Sequence, residues 1–370
     1  MDGLTELVQM SQYYGLEEDY VLGAGGNTSY KDTQHGVMYV KPSGYRLMDI
    51  KRQDFVAMDM AKLADIMNKP YPEEDEAREK MALEDLMNAR MPGETKRPSV
   101  ETLLHALMPQ KFVLHLHPTK VNGLTCSTEA DYWGKPLNPD CIYIPLTKPG
   151  YTLASVCKAE IEKYNAGNPK RPPYLLLLQN HGMFISGDTV EELKEKFTDF
   201  MNMVDAQLDR RPSLGLDFLL GGLEKKLREL YGPGGYAEYY YMPALEVLST
   251  SRFGFRNIKN AYTPDHAVYC GAHPMYLEDK KYLEKEYKAY LEQYGKPPKI
   301  IVVKSCAFYS LGSNVEAVRL GAQLFADEVR ISRYTYNFGE PNPLPDEFLD
   351  FIENWEVENY RSKISTGECE

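Results

Sequence analysis

The amino-acid sequence predicts an α/β protein built in two parts. Strand-like apolar runs alternate with amphipathic helical segments along the chain. The 370 residues, of which 43% are hydrophobic, are enough for one large domain or two of ordinary size. A long helical pattern ends at Arg210-Arg211-Pro212-Ser213. We therefore expect a first domain over residues 1–212 and a C-terminal α/β extension over residues 213–370.

The composition argues against several classes of protein. A net charge of −12 disfavours a general nucleic-acid or anionic-membrane surface, because phosphate backbones are bound by clustered Lys and Arg. No apolar run approaches the ~20 residues of a membrane span, and the N-terminus lacks the pattern of a secretory signal. The six cysteines are scattered without a Cys-x-x-Cys pair, which is typical of a reduced protein. We expect a cytoplasmic protein without nucleic-acid or membrane partners.

The N-terminal region contains two polar turns next to predicted strands. After a helix over residues 4–17, the segment 21–30 begins as a strand and bends at Gly25-Gly26-Asn27, and a strand over 36–41 ends at Pro42-Ser43-Gly44. Glycine permits positive φ, so that main-chain N–H groups can point at an anion. Each turn alone is ordinary hairpin chemistry, and neither matches a P-loop or a dinucleotide fingerprint. Together they can frame one pocket.

Helices and strands alternate along the remaining chain. A charged helical pattern over 59–90 breaks at Lys69-Pro70-Tyr71-Pro72, because proline cannot continue a helix. The apolar run 174–187 turns polar at Asn180-His181 and resumes, which predicts one buried strand with a polar break. The other predicted elements are helices at 102–107, 119–128, 153–164, 190–208, 223–231, 279–294, 314–334 and 346–360, strands at 112–118, 141–145 and 299–304, and a turn at 262–266.

Two histidines of the strand 112–118 are candidate ligands of a metal ion. His115 and His117 are two residues apart and therefore lie on the same face of a strand. Zinc and its neighbours need at least a third protein ligand and, for catalysis, an open position. His181 alone is better interpreted as a structural histidine. With the pair we favour it as the third ligand, because three of only seven histidines then occupy positions that can converge.

Glu101 is the candidate acid or base. It precedes the short helix that leads into the histidine strand, and a carboxylate beside a divalent cation can transfer protons. The alternative is a carboxylate that stabilises the helix N-terminus. Among the other histidines, we expect His105 to pack on its helix and His35 to be exposed. For His266 and His273 two roles stay open, a structural one and support of the site residues.

Five short segments in a fixed order carry a resemblance to a known family. They are Gly25-Gly26-Asn27-Thr28-Ser29, Lys41-Pro42-Ser43-Gly44, Pro98-Ser99-Val100-Glu101, His115-Leu116-His117 and Asn180-His181-Gly182. In this order they resemble the class II aldolase/adducin family, which includes fuculose-phosphate and rhamnulose-phosphate aldolases and ribulose-phosphate 4-epimerase. The resemblance implies a three-layer α/β fold with a largely antiparallel central sheet flanked by helices. It also implies a homo-oligomer, with a tetramer favoured.

The resemblance assigns roles to these five segments. It implies that His115, His117 and His181 hold a divalent ion, zinc first and manganese or cobalt as alternatives, and that Glu101 moves protons. It further implies a substrate-phosphate pocket, whose residues would be Gly26, Asn27, Thr28, Lys41, Ser43, Gly44 and Ser99. The expected reaction is cleavage of a ketose 1-phosphate, such as rhamnulose 1-phosphate, to dihydroxyacetone phosphate and a short aldehyde such as lactaldehyde. The alternatives are a pentulose-phosphate epimerase or dehydratase, or a metal-free adducin-like interaction module.

The extension resembles one branch of the family. Thr263-Pro264-Asp265-His266 and the Trp-containing segment 354–358 are similar to the aldolase part of bifunctional rhamnulose-phosphate aldolase/lactaldehyde dehydrogenases. Because the second half and a dinucleotide fingerprint are absent, we expect no dehydrogenation. Leu146 stands where relatives often carry a tyrosine that protonates the aldehyde product, so Tyr143 or Tyr151 would have to replace it. The extension itself could be a lid, an oligomerisation element or a specificity domain.

Overall fold

A computed structural model describes residues 2–209, 212–213, 215–219, 221–304 and 306–355 of the chain. The chain divides into two compact units. The first comprises residues up to Val121 together with Asp131–Ala206, and the second comprises Asn122–Ala130 together with the chain from Gln207 onward. The sequence pattern contained no sign that residues 122–130 group with the C-terminal part.

The chain up to residue 206 alternates strands and helices. Side chains of Asp2, Asp59 and Thr189 cap the N-termini of three helices by accepting main-chain N–H groups. In chain order the elements are α1 (Gly3–Gly15), β1 (Asn27–Asp32), β2 (Val37–Val40), β3 (Val56–Asp59), α2 (Met60–Asn68), α3 (Asp75–Asn88), α4 (Thr102–Leu107), β4 (Phe112–Leu116), α5 (Thr119–Thr125), α6 (Ala130–Leu137), β5 (Cys141–Ile144), α7 (Tyr151–Gly167), β6 (Leu175–Leu178), β7 (Gly182–Gly187) and α8 (Val190–Asp205).

The seven strands of the first unit form one sheet in the order β3-β2-β1-β4-β7-β6-β5. Only the β5–β6 pair is parallel; the other neighbours are antiparallel. Apolar side chains of β4, β6 and β7 pack with those of α2, α4 and α7 in one buried cluster, while α1 and α8 contact β1 and β7. The predicted α/β fold with a largely antiparallel sheet flanked by helices is confirmed.

The polar break in the run 174–187 is a chain reversal. β6 and β7 pair antiparallel, with Leu178 opposite Gly182, so that residues 179–181 form the loop of a hairpin. Asn180 adopts φ of 53°, a left-handed conformation that asparagine tolerates better than most residues. The prediction of one interrupted strand is therefore wrong: the two apolar halves lie side by side, and the polar residues form the loop at the ends of these strands.

Several other local predictions need correction. Residues 21–26 form turns, and the first strand begins only at Asn27. Neither β3 nor α6 was predicted from the sequence, where the helical pattern was taken to begin at Asp59. Both are short elements, of four and eight residues, whose formation depends on pairing and packing with distant parts of the chain.

The second unit contains a smaller mixed sheet. Its strands run in the order β10-β11-β12-β9-β8, with β10 and β11 parallel and the remaining neighbours antiparallel. The elements after residue 206 are β8 (Asp217–Leu219), α9 (Glu224–Tyr231), β9 (Tyr236–Tyr241), α10 (Glu246–Ser249), α11 (Arg252–Phe255), α12 (Pro264–Cys270), β10 (Met275–Leu277), α13 (Leu283–Tyr294), β11 (Ile300–Val303), β12 (Ala307–Gly312), α14 (Val315–Thr335) and α15 (Asp346–Asn354).

The C-terminal part is an α/β extension, as predicted, but its strands were largely missed. Only β11 of the five was predicted. The expected turn at Thr263–His266 is the start of α12, where Thr263 caps the helix by accepting the His266 N–H group. The helix expected over 346–360 is described as α15 up to Asn354, and residues 356–360 lie outside the described residues. None of the helices in the described ranges combines the length and the apolar composition needed to cross a bilayer.

Candidate metal centre and substrate site

Three histidines converge where β4 ends and the β6–β7 hairpin turns. β4 supplies His115, His117 follows it directly, and His181 comes from the β6–β7 hairpin. The His115 and His117 Nε2 atoms lie 2.9 Å apart, and the potential ligand atoms of all three rings lie within 4.8 Å of one another. The structure therefore brings together the three side chains that the sequence singled out, in a group that can hold a metal ion.

The strand pairing fixes the orientation of His115. Its ring stacks on Phe184 of β7, with centroids 4.1 Å apart and planes 17° apart. Its Nδ1 atom lies 2.9 Å from the Met183 carbonyl oxygen, which can only accept a hydrogen bond. Nδ1 therefore carries the proton of the neutral ring, and the Nε2 lone pair faces the other two histidines.

The hairpin loop places His181 beside the end of β4. Gly182, the next residue, has no room for a side chain: an added Cβ would lie 2.8 Å from the His117 Cδ2 atom and closer still to the Leu116 carbonyl oxygen. Glycine at this position lets β7 approach β4 closely. The close approach brings the rings of His117 and His181 to a centroid distance of 5.1 Å.

Glu101 points its carboxylate at the histidines. Its Oε1 atom lies 3.2 Å from His115 Nε2 and 3.0 Å from His181 Nε2. Although Glu101 precedes α4, its side chain makes no capping hydrogen bond, so the alternative of a purely helix-stabilising carboxylate is not supported. Burial alone would raise the pKa of Glu101, but His115 and His181 outweigh it and hold this pKa well below its usual range. Burial lowers the pKa of His115 to about 4, against the opposing effect of Glu101.

The donor set fits a divalent transition-metal ion. Potential ligand nitrogens of three imidazole rings lie close together, a carboxylate oxygen of Glu101 contacts two of these rings, and the ring of His115 is buried and held in the tautomer that metal ligation needs. Nitrogen-rich sets of this kind suit zinc and neighbouring ions.

A chain of buried polar side chains extends from Glu101 away from the histidines. Asn27 Nδ2 donates to Glu101 Oε2 at 2.6 Å, and Asn27 Oδ1 contacts His105 Nε2. His105 Nδ1 lies 2.8 Å from Ser29 Oγ. Burial holds the pKa of His105 well below its usual range. These contacts of His105 were not predicted from the sequence. The available signal was the position of His105 four residues after Glu101, which puts both on one face of a helical turn.

Lys41 links the two polar turns of the N-terminal region. Its Nζ atom donates to the Ala24 carbonyl at 2.9 Å and to the Tyr45 carbonyl at 2.6 Å. Its own carbonyl accepts the Ser99 N–H group at 3.0 Å. The three predicted segments around Gly26, Ser43 and Ser99 are thereby held together.

The main-chain geometry of the turns suits glycine. Gly26 and Gly44 have φ of 58° and 84°, values at which other residues are strained. An added Cβ on Gly26 would lie 2.8 Å from the His115 carbonyl oxygen, so this turn packs directly on the histidine strand. Ser99 Oγ accepts the Glu101 N–H group at 3.3 Å, which places Ser99 next to the candidate acid or base.

Two predicted phosphate contacts do not fit the observed side-chain geometry. Thr28 points to the opposite face of β1 from Asn27, and its hydroxyl forms a 2.7 Å hydrogen bond with Ser11 of α1. The ammonium group of Lys41 is buried and used by the two turn carbonyls. The Thr28 hydroxyl therefore links β1 to α1, and the Lys41 ammonium group holds the turns in place, whatever the main chain around them binds.

The segment with Leu146 is connected to the hairpin. The Leu146 N–H group donates to Gln179 Oε1 at 2.9 Å, in the same loop that carries His181. The ring of Tyr151, one of the two proposed replacements for the missing tyrosine, packs 4.5 Å from that of Tyr71 beside the hydrophobic cluster. This packing does not support Tyr151 as a proton donor.

The remaining histidines make other contacts. His35 is exposed and pairs with Asp32 at the end of β1. His266 and His273 belong to the second unit, where His266 is buried and contacts Asp327.

The family model described as the class II aldolase and adducin N-terminal domain matches residues 5–208, which is more than half of the chain. This chain belongs to the class II aldolase and adducin family. The resemblance found in the sequence motifs is confirmed, and the matched residues contain all three histidines and Glu101.

Individual relatives of this class II aldolase family member are distant. The uncharacterized oxidoreductase YuxG of Bacillus subtilis (strain 168) is 23% identical over an alignment 425 positions long, which covers 100% of this chain and 59% of YuxG. This chain thus spans about 59% of the length of that curated relative. The N-terminal class II aldolase domain of a conserved Thermoplasma acidophilum protein is 29% identical over 55% of this chain and 93% of that chain, with a TM-score of 0.47. L-fuculose-1-phosphate aldolase from Thermus thermophilus is 14% identical over 55% and 91%, with a TM-score of 0.35.

Proposed function

We propose that this protein is a metal-dependent aldolase that cleaves a ketose 1-phosphate to dihydroxyacetone phosphate and a short aldehyde. Rhamnulose 1-phosphate, which would give lactaldehyde, is the favoured substrate. The observation that carries the proposal is the position of Glu101, whose Oε1 atom lies within 3.2 Å of two of the three histidines. A proton-transfer group thus lies directly at the candidate metal centre.

The three histidines and Glu101 have different roles in the proposed reaction. His115, His117 and His181 would hold the divalent ion, zinc first and manganese or cobalt as alternatives. When bound, this ion supplies a Lewis acid that polarises the substrate carbonyl. Cleavage breaks the bond between C3 and C4: the C4 hydroxyl loses its proton to become the aldehyde, and C3 takes up a proton. Glu101, ionised and buried, is the group that accepts the proton of the C4 hydroxyl and delivers it at C3.

The two glycine turns would bind the substrate phosphate. Main-chain N–H groups around Gly26 and Gly44 and the hydroxyls of Ser43 and Ser99 supply neutral donors, and Asn27 can add the one side-chain N–H that it does not donate to Glu101. The positive φ values of both glycines support this assignment, because such turns leave N–H groups free to point at an anion. Lys41 would act indirectly, by holding the turns in place.

The cellular setting and assembly are parts of the same proposal. A cytoplasmic location agrees with the free state of the described cysteines, which are Cys126, Cys141, Cys157, Cys270 and Cys306. A homo-oligomer, with a tetramer favoured, follows from the family relationship. The C-terminal extension would serve as a lid, an oligomerisation element or a specificity domain.

A second candidate function is favoured by Leu146. Since this residue replaces the usual aldehyde-side proton donor, an epimerase or dehydratase acting on a pentulose phosphate would use the same ion and Glu101 without it. The intact set of histidines weighs against a metal-free adducin-like module.

A substrate screen separates these functions. The full chain is loaded with zinc, manganese or cobalt and incubated with a panel of ketose 1-phosphates and pentulose phosphates. We expect a trapped aldehyde from a ketose 1-phosphate. Product of unchanged composition from a pentulose phosphate would instead identify an epimerase, and loss of water a dehydratase.

The Glu101→Gln variant tests the mechanism in the same assay. It keeps the size of the side chain and a hydrogen-bonding group but removes the base, so we expect a loss of roughly 10²–10⁴-fold in kcat with the metal retained. His181→Ala serves as the comparison, because it should lose both metal and activity. Full activity of Glu101→Gln would contradict the proposal. So would unmodified protein that contains no ion after purification and binds none when zinc, manganese or cobalt is added.

A further inference from the structure

We infer that His105 is a positioning residue for Glu101 and that it acts through Asn27. Ser29, His105, Asn27 and Glu101 form one continuous chain of hydrogen bonds. All four side chains are buried, and none is more than 6% exposed. The kinetic part of this inference rests on the proposed function; the structural part does not.

The orientation of the Asn27 amide sets the direction of every hydrogen bond in the chain. Its nitrogen, which can only donate, faces Oε2 of Glu101 at 2.6 Å. The amide oxygen of Asn27 then faces His105 and can only accept. His105 must therefore carry its proton on Nε2, the nitrogen that contacts this oxygen.

The other ring nitrogen completes the assignment. A neutral imidazole with its proton on Nε2 has a lone pair on Nδ1, which lies 2.8 Å from the Ser29 hydroxyl. Ser29 therefore donates, and the four side chains form a one-way series of donors and acceptors. This series requires the Nε2–H tautomer of His105, opposite to the Nδ1–H tautomer of His115.

The series fixes the orientation of the catalytic carboxylate. If Asn27 rotated its amide by half a turn, its oxygen would face the Glu101 carboxylate and its nitrogen would face the Nε2–H group of His105. Both contacts would be repulsive, so His105 permits only one amide orientation. Asn27 then holds Oε2 of Glu101 and leaves Oε1 directed at His115 and His181.

Packing alone does not account for an imidazole at this position. The ring of His105 contacts the Phe184 ring at a centroid distance of 5.3 Å, an environment that a leucine would fill as well. Burying a polar ring is unfavourable unless both nitrogens find partners, and here both do, on β1.

The tautomer can be measured on the protein itself. In zinc-loaded full-length protein labelled with ¹⁵N-histidine, long-range ¹H–¹⁵N correlations report which ring nitrogen carries the proton. The His105 signals are identified by their disappearance in the His105→Gln variant. We expect a neutral ring at neutral pH with its proton on Nε2, and loss of protection of this proton against solvent exchange in Asn27→Ala. A proton on Nδ1, or a doubly protonated ring, would overturn the inference.

Two variants test the effect on Glu101. His105→Leu removes the donor to Asn27, and we expect kcat to fall roughly 10- to 100-fold, since small displacements of a catalytic group have effects of this size. His105→Gln retains an N–H donor at about the reach of Nε2 and should recover most of this loss. Both should bind zinc like the unmodified protein, and KM should change little. Equal loss in both variants would show that the ring is needed only for packing and would overturn the inference.

The two proposals fail separately. If no sugar phosphate is turned over but the Nε2–H tautomer is found, the proposed function is wrong and the positioning series stands. If an aldehyde is formed but the proton lies on Nδ1, the function stands and the positioning series is wrong.

Discussion

Replacing Gly182 with alanine should weaken metal binding at the candidate centre. The added Cβ would lie 2.8 Å from His117 Cδ2 and closer still to the Leu116 carbonyl oxygen, whereas ordinary carbon contacts lie at about 3.5–4.0 Å. The start of β7 must therefore move away from β4 by about 1 Å. The displaced segment carries His181 on one side and Met183, whose carbonyl fixes the His115 tautomer, on the other.

The expected magnitudes follow from this displacement. Overpacking of this kind destabilises a protein by about 1–3 kcal/mol. Disturbing the support of metal ligands lowers metal affinity by about 10- to 100-fold. We therefore expect Gly182→Ala to fold, with a modestly lower free energy of unfolding and a clearly raised dissociation constant for zinc.

A competition titration with a chromogenic chelator measures the zinc affinity, and urea unfolding of the metal-free protein measures the stability. The matched control is Gly167→Ala at the end of α7, where an added Cβ meets no other atom within 4 Å. This control should bind zinc normally. If Gly182→Ala also bound zinc with unchanged affinity, the close approach of β4 and β7 would not be what positions His181, and the reasoning would be refuted.

Three further predictions concern stability. Zinc at about 100 times its dissociation constant should raise the free energy of unfolding by about 2.7 kcal/mol, and His117→Ala should abolish this gain in thermal unfolding. Burial lowers the pKa of Lys31 to about 7 from its usual value near 10.4. At a pH between these two values, the unfolded chain carries a proton on Lys31 that the folded protein has lost. The free energy of unfolding should therefore rise with pH between these two pKa values, by at most about 4–5 kcal/mol. Urea unfolding of Lys31→Met should show no such rise. If the unmodified protein and Lys31→Met instead gave parallel pH profiles, the carbonyls around Lys31 would keep it charged in the folded protein, and the prediction would be wrong. Lys41→Met leaves two turn carbonyls without their donor and should cost about 2–4 kcal/mol, while Lys62→Met, at an exposed carbonyl contact, should change stability by less than about 0.5 kcal/mol.

Elements with strong local signals could be predicted from the sequence. The apolar stripe that predicts a helix over 314–334 corresponds to α14 (Val315–Thr335), and the run of four leucines corresponds to β6. The missed strand β9 has the sequence Tyr-Ala-Glu-Tyr-Tyr-Tyr and becomes a strand by pairing with β12, some 70 residues later in the chain. Strand pairing of this kind depends on distant residues and leaves a weak local pattern.

The candidate site was predictable to a similar degree. The spacing of His115 and His117 put them on one face of a strand, the polar break pointed to His181, and the position before the short helix pointed to Glu101. The hairpin at residues 179–181 was not recognised, because Gln179-Asn180-His181 lacks the usual turn dipeptides. The contact between His105 and Asn27 depends on β1 pairing with β4, with Asn27 opposite His115, and no local pattern contains that information.

Residues 122–130 determine how this protein can be divided. Soon after His117 the chain enters the second unit, where the Thr128 N–H group donates to the Glu340 carbonyl at 3.0 Å and the Asn342 N–H group donates to the Cys126 carbonyl at 2.9 Å. It then returns to the first unit at Asp131. A fragment that ends near residue 212 would keep all three histidines, but its segment 122–130 would lose the hydrogen bonds to Glu340 and Asn342. The two units therefore cannot be exchanged between relatives by a single crossover: a functional chimera must replace the segment 122–130 together with the C-terminal part.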